Sequence, residues 1–153
     1  MSSQWRVRES CCLALVEFLR GRNLADALDS LNELWTSVFK VMDDIKETVR
    51  LAANNAAMAL SRTSVSMCEG TGTTSAATIQ ILMTVMLEEG LRSTVGEVKN
   101  VAVETLLKIS KAAGPLIGSH LPVYIPAMLE AAGEQESKQV RRQCTLSRHL
   151  IMT

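Results

Sequence analysis

From Leu24 onward, the apolar positions Leu28, Leu31, Leu34, Trp35, Val38, Phe39 and Met42 follow the i, i+3, i+4, i+7 rule of an amphipathic helix. Ile79, Leu82, Met83, Met86 and Leu87 repeat that pattern. A third run spans Leu116 to Ala132, where Pro122 and Pro126 are expected to bend the helix or delay its start. Between these runs lies a second class of segment with smaller residues. Ala52, Ala53, Ala56 and Leu60 follow Arg50; Val101, Ala102, Leu106 and Ile109 follow Lys99; Cys11, Cys12, Leu15, Phe18 and Leu19 follow Arg8.

Each small-residue segment opens with an apolar–basic pair: Val7-Arg8, Val49-Arg50, Val98-Lys99 and Val140-Arg141, with intervals of 42, 49 and 42 between the basic residues. Units of this length are those of HEAT or armadillo repeats. The order predicts an all-α, HEAT-like α-solenoid of antiparallel helix hairpins. Calling the first helix of each hairpin A and the second B, a lone B helix (5–21) is followed by repeats at 24–68 and 74–114 and a last, diverged or truncated repeat at 115–153. Small residues on the B helices allow neighbouring helices to approach closely. Asp44-Ile-Lys-Glu47 and Thr94-Val-Gly-Glu97 have capping-box form. Gly21, Gly90, Gly114 and Gly133 stand where a left-handed residue closes a helix. The Gly- and Thr-rich stretch from Glu69 to Ser75 reads as an inserted loop that lengthens the middle interval.

Composition supports helices and narrows the function. Aromatic residues make up 3% of the chain while Ala, Leu, Val and Met are plentiful, which suits helices better than a sheet core. Sixteen basic residues balance sixteen acidic ones, so no global field is available to hold nucleic acid. The cluster Lys138, Arg141, Arg142 and Arg148 reads as a solvated helix face. Cys11, Cys12, Cys68 and Cys144 show no metal-ligand spacing and read as reduced thiols in a cytoplasmic or nuclear protein. The charge-free stretches Gly70–Leu87 and Ala112–Leu129 are broken by Gly, Thr and Pro, so membrane insertion is not expected.

No residue carries recognisable chemistry, and no catalytic, cofactor-binding or metal-ligating residue is assigned. His120 and His149 lack a nucleophile or carboxylate at useful spacing. Gly70-Thr-Gly72 lacks the Lys-Ser/Thr ending of a phosphate loop. Asp43-Asp44 reads as cap and helix-dipole partners, and Cys11-Cys12 as small packed residues. Protein contact or repeat stacking is the expected role of Trp5, Arg8, Trp35, Arg50 and Lys99. Trp35 belongs to an apolar stripe, whereas Trp5 lies on a helix without a hairpin partner, its apolar side exposed or covered from outside. Both ends read as uncapped, which predicts a piece of a longer array and self-association through those ends.

The run Trp5-Arg-Val-Arg-Glu-Ser-Cys-Cys-Leu-Ala-Leu15 resembles a helix of the large proteasome-associated family of HEAT-repeat adaptors and scaffolds. The resemblance continues through Leu31–Ala53, Ser93–Gly114 and Leu121–Glu130, covering Gln4 to Glu130. It implies an internal segment from the C-terminal part of such a protein. It also implies binding to proteasome core and regulatory particles, no enzymatic activity, and association with the endoplasmic reticulum or endosomes through partners. A segment of an unrelated HEAT scaffold is the alternative: a nuclear transport receptor, a phosphatase scaffold or a microtubule-binding module. The acidic turn Met42-Asp43-Asp44 speaks against the last of these.

Overall fold

A computed structural model of the chain describes residues 4–22 and 24–133. Expectations for residues 134–153, including the Val140-Arg141 pair, Cys144, His149 and the basic cluster, fall outside the described residues. Within them the protein is all-helical. Helix α1 (Gln4–Leu19) is followed by a 3-10 segment (Ala25–Ser30), α2 (Leu31–Met42), α3 (Glu47–Cys68) and α4 (Thr73–Val85). A π-helical turn (Met86–Gly90), α5 (Gly96–Ala112), a second 3-10 segment (Gly114–His120) and α6 (Leu121–Gly133) complete the order.

The amphipathic run read from Leu24 divides in two. Ala27 leaves helical geometry at φ −114°, and the α-helix proper begins at Leu31. From there Leu31, Trp35, Val38, Phe39 and Met42 are buried along one face. Helix α3 instead buries mostly small residues, among them Ala52, Ala53, Ala56, Ala57 and Ala59, on more than one side. Lacking bulk, it can take neighbours all around. It packs against α1, α2, α4 and α5, and α5 in turn packs against the π turn and the second 3-10 segment. Nearly all of the buried apolar residues form one core cluster. Trp35, Leu60, Ile79, Leu82, Leu106 and Tyr124 are fully buried in it, each apolar side chain contributing about 1.5–3 kcal/mol through removal from water.

Several local expectations need correcting. Neither capping box forms. The residue before α3 is Lys46, in extended geometry and without a side-chain cap, while Asp44 Oδ1 accepts the Lys46 N–H at 2.9 Å. The residue before α5 is Val95, whose N–H is accepted by Ser93 Oγ at 3.1 Å. Both are i, i+2 side-chain turns that steer the chain just ahead of the helix. Their members stand 49 residues apart, the repeat interval.

Gly21 and Gly114 do take left-handed backbone, at φ +67° and +52°. Gly90 does not, and neither does Gly133. Gly90 is needed for space: a Cβ there would lie 2.5 Å from the Ala102 Cβ and 3.4 Å from the Phe39 ring. The helix widens into the π turn at this approach, with Leu91 N–H reaching back to Met86 O at 2.9 Å. The inserted loop is shorter than expected, because α4 already begins at Thr73. Gly70, at φ +109°, turns the chain, and Ser75 Oγ donates to Glu69 O at 3.1 Å. Near the prolines the α-helix starts only at Leu121, after a tighter 3-10 segment. Pro122 then falls in the first turn, where a missing N–H costs nothing.

Candidate functional site

The turn joining α2 to α3 gathers most of the charged and aromatic residues singled out by sequence. Asp44 is the centre. Its carboxylate accepts from Arg8 of α1, Nε at 2.5 Å and Nη2 at 3.2 Å, a two-pronged contact that only the planar guanidinium can make. Arg50, one turn into α3, donates from Nη1 to the carbonyls of Asp44 at 2.8 Å and Ile45 at 3.1 Å. The hydrogen bond from Arg8 first, then that from the Lys46 backbone, holds the Asp44 carboxyl below its ordinary range; the same pairing raises Arg8. The Asp44 side chain is 8% exposed, so the pair is set into the surface. The arrangement ties α1 to the following helix pair through one turn.

Trp5 borders this cluster. Its ring lies 5.1 Å from the Arg6 guanidinium and 5.7 Å from Lys46 Nζ, and its face is half-buried. The side expected to be bare is thus partly covered from within the chain. Ile45, at the tip of the turn, is 90% exposed. Lys99 holds the Arg50 position of the next unit on α5 and is half-buried. Trp35 is elsewhere: fully buried, it donates from Nε1 to Ser64 Oγ at 3.2 Å and stacks obliquely on Phe39 at 5.3 Å. Of the five residues, Trp5, Arg8 and Arg50 come together, Lys99 stands one unit away, and Trp35 is core. Asp44, which joins Arg8 to Arg50, was read only as a cap. The sequence signal was present in its six-residue spacing to Arg50, but a partner 36 residues away in α1 leaves no local trace.

A second feature lies on the outer side of α1. Val7, Cys11, Ala14 and Phe18 share one face at i, i+4, i+7 and i+11, and all four are exposed, Val7 at 62% and Phe18 at 51%. The corresponding residues of α3 are Val49, Ala53, Ala56 and Leu60, and those of α5 are Val98, Ala102, Thr105 and Ile109; each of these is buried. Sequence reading placed both Cys11 and Cys12 in packed positions, yet only Cys12 is buried. Helix α1 therefore leaves exposed a face that is buried on its two counterparts.

Two of the thiols lie buried in the fold. Burial first, then the charges of Cys11 and Asp44, pushes the Cys12 thiol up. Burial, then Glu69, pushes Cys68 up to about 12. Among the described residues no group of three His, Cys, Asp or Glu side chains is placed to hold a metal ion. No helix among them is long and apolar enough to cross a membrane. His120 lines an open cavity of about 530 Å³ between α4 and α6, together with Arg92, Glu88 and Glu130.

Comparison with known proteins gives the context. No family model and no solved structure matches the chain. Curated proteins do. The chain is 49% identical over 131 residues to the human proteasome adapter and scaffold protein ECM29, covering 85% of this chain and 7% of that one. It is 31% identical over 159 residues to the Drosophila melanogaster proteasome-associated protein ECM29 homolog, covering 90% of this chain and 8% of the relative. The Schizosaccharomyces pombe proteasome component ecm29 is 26% identical over 145 residues. The chain thus spans less than a tenth of the length of these relatives. Matches over 85% and 90% of its length, at 49% and 31% identity, show that the chain belongs to the ECM29 family of proteasome adaptors and scaffolds.

Proposed function

We propose that this chain is a non-catalytic, protein-binding segment of a proteasome adaptor, folded as a HEAT-like α-solenoid. The observation that carries the functional part is the 49% identity to the human adapter and scaffold protein over 85% of the chain. The packing order supports the architectural part. Helix α2 pairs with α3 and the π turn with α5, while α1, α3 and α5 follow one another side by side, as stacked hairpins do. On this reading residues 5–21 form a lone B helix and 24–68 and 74–114 are hairpin repeats, while the repeat expected at 115–153 lies largely outside the described residues. Arg8, Arg50 and Lys99 act in stacking, since Arg8 and Arg50 engage the turn at Asp44 and Lys99 holds the matching position. Trp5 and Ile45 lie at the edge, where a partner can reach them.

The partner in this proposal is the proteasome, through its core and regulatory particles. Residence in the cytoplasm and nucleus, and at the endoplasmic reticulum or endosomes through other partners, belongs to the same proposal. The test is sedimentation of the purified chain with purified proteasome holoenzyme through a glycerol gradient. The chain is expected to move into the proteasome fractions. A folded chain that stays at the top with proteasome present at about 10 µM, a concentration that reveals even weak complexes, overturns the reading.

A further inference from the structure

Arg62 stands 42 residues after Arg20 and 49 before Lys111, the intervals that also separate Arg8, Arg50 and Lys99. One cation thus occupies the same register toward the C-terminal ends of α1, α3 and α5, which pack in that order. All three are exposed. The preference of basic residues for the C-terminal end of a helix accounts for Lys111, in the last turn of α5, and for Arg20, just past the end of α1. It does not explain Arg62, which lies six residues before the end of α3 at Cys68.

Arg20 and Arg62 also share a concavity of about 700 Å³ between α1 and α3, and Arg22 joins them there. The left-handed Gly21 turns the chain so that the residues on both its sides reach this space. Arg22 is held over the Phe18 ring at 4.7 Å, a contact that fixes a guanidinium without neutralising it. Arg20 pairs with Glu17 at 3.1 Å on the exposed surface; among the described residues the lining contains three arginines and no carboxylate. The hydroxyls of Thr63 and Ser66 donate to carbonyls of their own helix, so the guanidinium N–H groups are the donors offered to a ligand. Leu19 and Ala59 are buried beneath them, and Val16 is half-buried.

We propose that the concavity of Arg20, Arg22 and Arg62, continued across α5 by Lys111 at the matching register, binds an extended acidic peptide segment of a partner protein. The proposal rests on the reading of the chain as a protein-binding segment and supplies the chemistry of one contact. Packed helices lie about 8–10 Å apart, and an extended chain rises about 3.3 Å per residue. A peptide crossing the helix row therefore meets a new cation at about every third residue. The preferred ligand carries Asp or Glu at that spacing, with small or apolar residues between to lie over Val16, Leu19 and Ala59. Single-stranded nucleic acid fits less well, because it stacks its bases on aromatic rings and none of the described residues lining this concavity is aromatic.

The test uses the full chain and dye-labelled peptides of about ten residues, enough to cross three helices, read by fluorescence anisotropy. One peptide has Glu at every third position, one has Gln in its place, one has the same Glu residues contiguous, and an oligothymidine of similar length is the polyanion control. The spaced Glu peptide is expected to bind best, and more weakly as salt rises. Arg62→Glu is expected to lower its affinity about tenfold, with Arg62→Gln and Lys111→Glu losing less. Circular dichroism melting verifies that each variant stays folded. Equal binding of the Gln peptide, indifference to the Arg62 and Lys111 variants, or tighter binding of the oligothymidine overturns the proposal. Because this assay contains no proteasome, failure here with retained co-sedimentation removes the groove alone. Peptide binding without co-sedimentation removes the proteasome reading alone.

Discussion

Asp44 accepts from the Arg8 guanidinium and from the Lys46 backbone at once, so its ionised form is favoured in the folded protein. A carboxyl whose folded pKa lies below its ordinary value near about 3.9 stabilises the fold above that value, and the contribution disappears as pH falls through the folded pKa. Asp44→Asn is therefore expected to melt a few degrees below the parent at neutral pH, with the gap closing in acid; an equal gap at every pH would show that charge plays no part. The cysteines make a second test at the same scale. Cys11 is exposed, whereas Cys12 and Cys68 are buried with raised pKa values. Among these three, iodoacetamide at about pH 8, near the ordinary thiol pKa, is expected to label Cys11 and to reach the other two only on unfolding. Peptide mass spectrometry reads this directly. For Cys68 the linkage runs opposite to that of Asp44. Its thiol stays protonated up to about 12 in the fold, so its contribution is full below the unfolded pKa of about 8.5 and is lost across the interval above it.

Elements in this protein are defined by how closely they approach one another. The contact of Gly90 with Ala102 is the clearest case, since a single added methyl would sit 2.5 Å from the Ala102 Cβ. Gly90→Ala is expected to destabilise the protein by about 1–3 kcal/mol through overpacking, despite the better helix propensity of alanine. Adding Ala102→Gly should recover part of that loss, net of the roughly 0.5–1 kcal/mol cost of glycine within α5. Urea unfolding of the two single variants and the pair measures the coupling; simple additivity would mean that the two sites do not touch. Two buried side-chain contacts between helices, Ser61 with Thr105 at 2.8 Å between α3 and α5 and Trp35 with Ser64 at 3.2 Å between α2 and α3, fix relative position at the same scale. Each satisfies polar groups that would otherwise be costly to bury.

At the scale of the whole molecule, the uncovered face of α1 is the feature with consequences in solution. Val7, Cys11, Ala14 and Phe18 are exposed where the matching residues of α3 and α5 are buried. We propose that this face drives weak self-association, as an apolar stripe without a neighbour does. Size-exclusion chromatography with light scattering is expected to give a mass that rises above 16.7 kDa with concentration, and Phe18→Glu to bring it back to the monomer. A monomer at all concentrations for the parent chain would end the proposal.

The apolar periods, the apolar–basic pairs and the repeat interval were legible in the order of residues, because each depends on neighbours within a few turns of helix. So was the division between large-residue and small-residue helices, which α2 and α3 display in their buried faces. Family membership was legible too, from the run at Trp5 and the block around Asp44. The capping arrangement was not. Asp44 had a local role available as a cap, and a guanidinium from a helix 36 residues away took part in setting another. Nor could the sequence separate Cys11 from Cys12, or show that Gly90 serves closeness and not chain reversal. Those outcomes depend on which surfaces meet, and only the packing of α1, α3 and α5 against one another decided that.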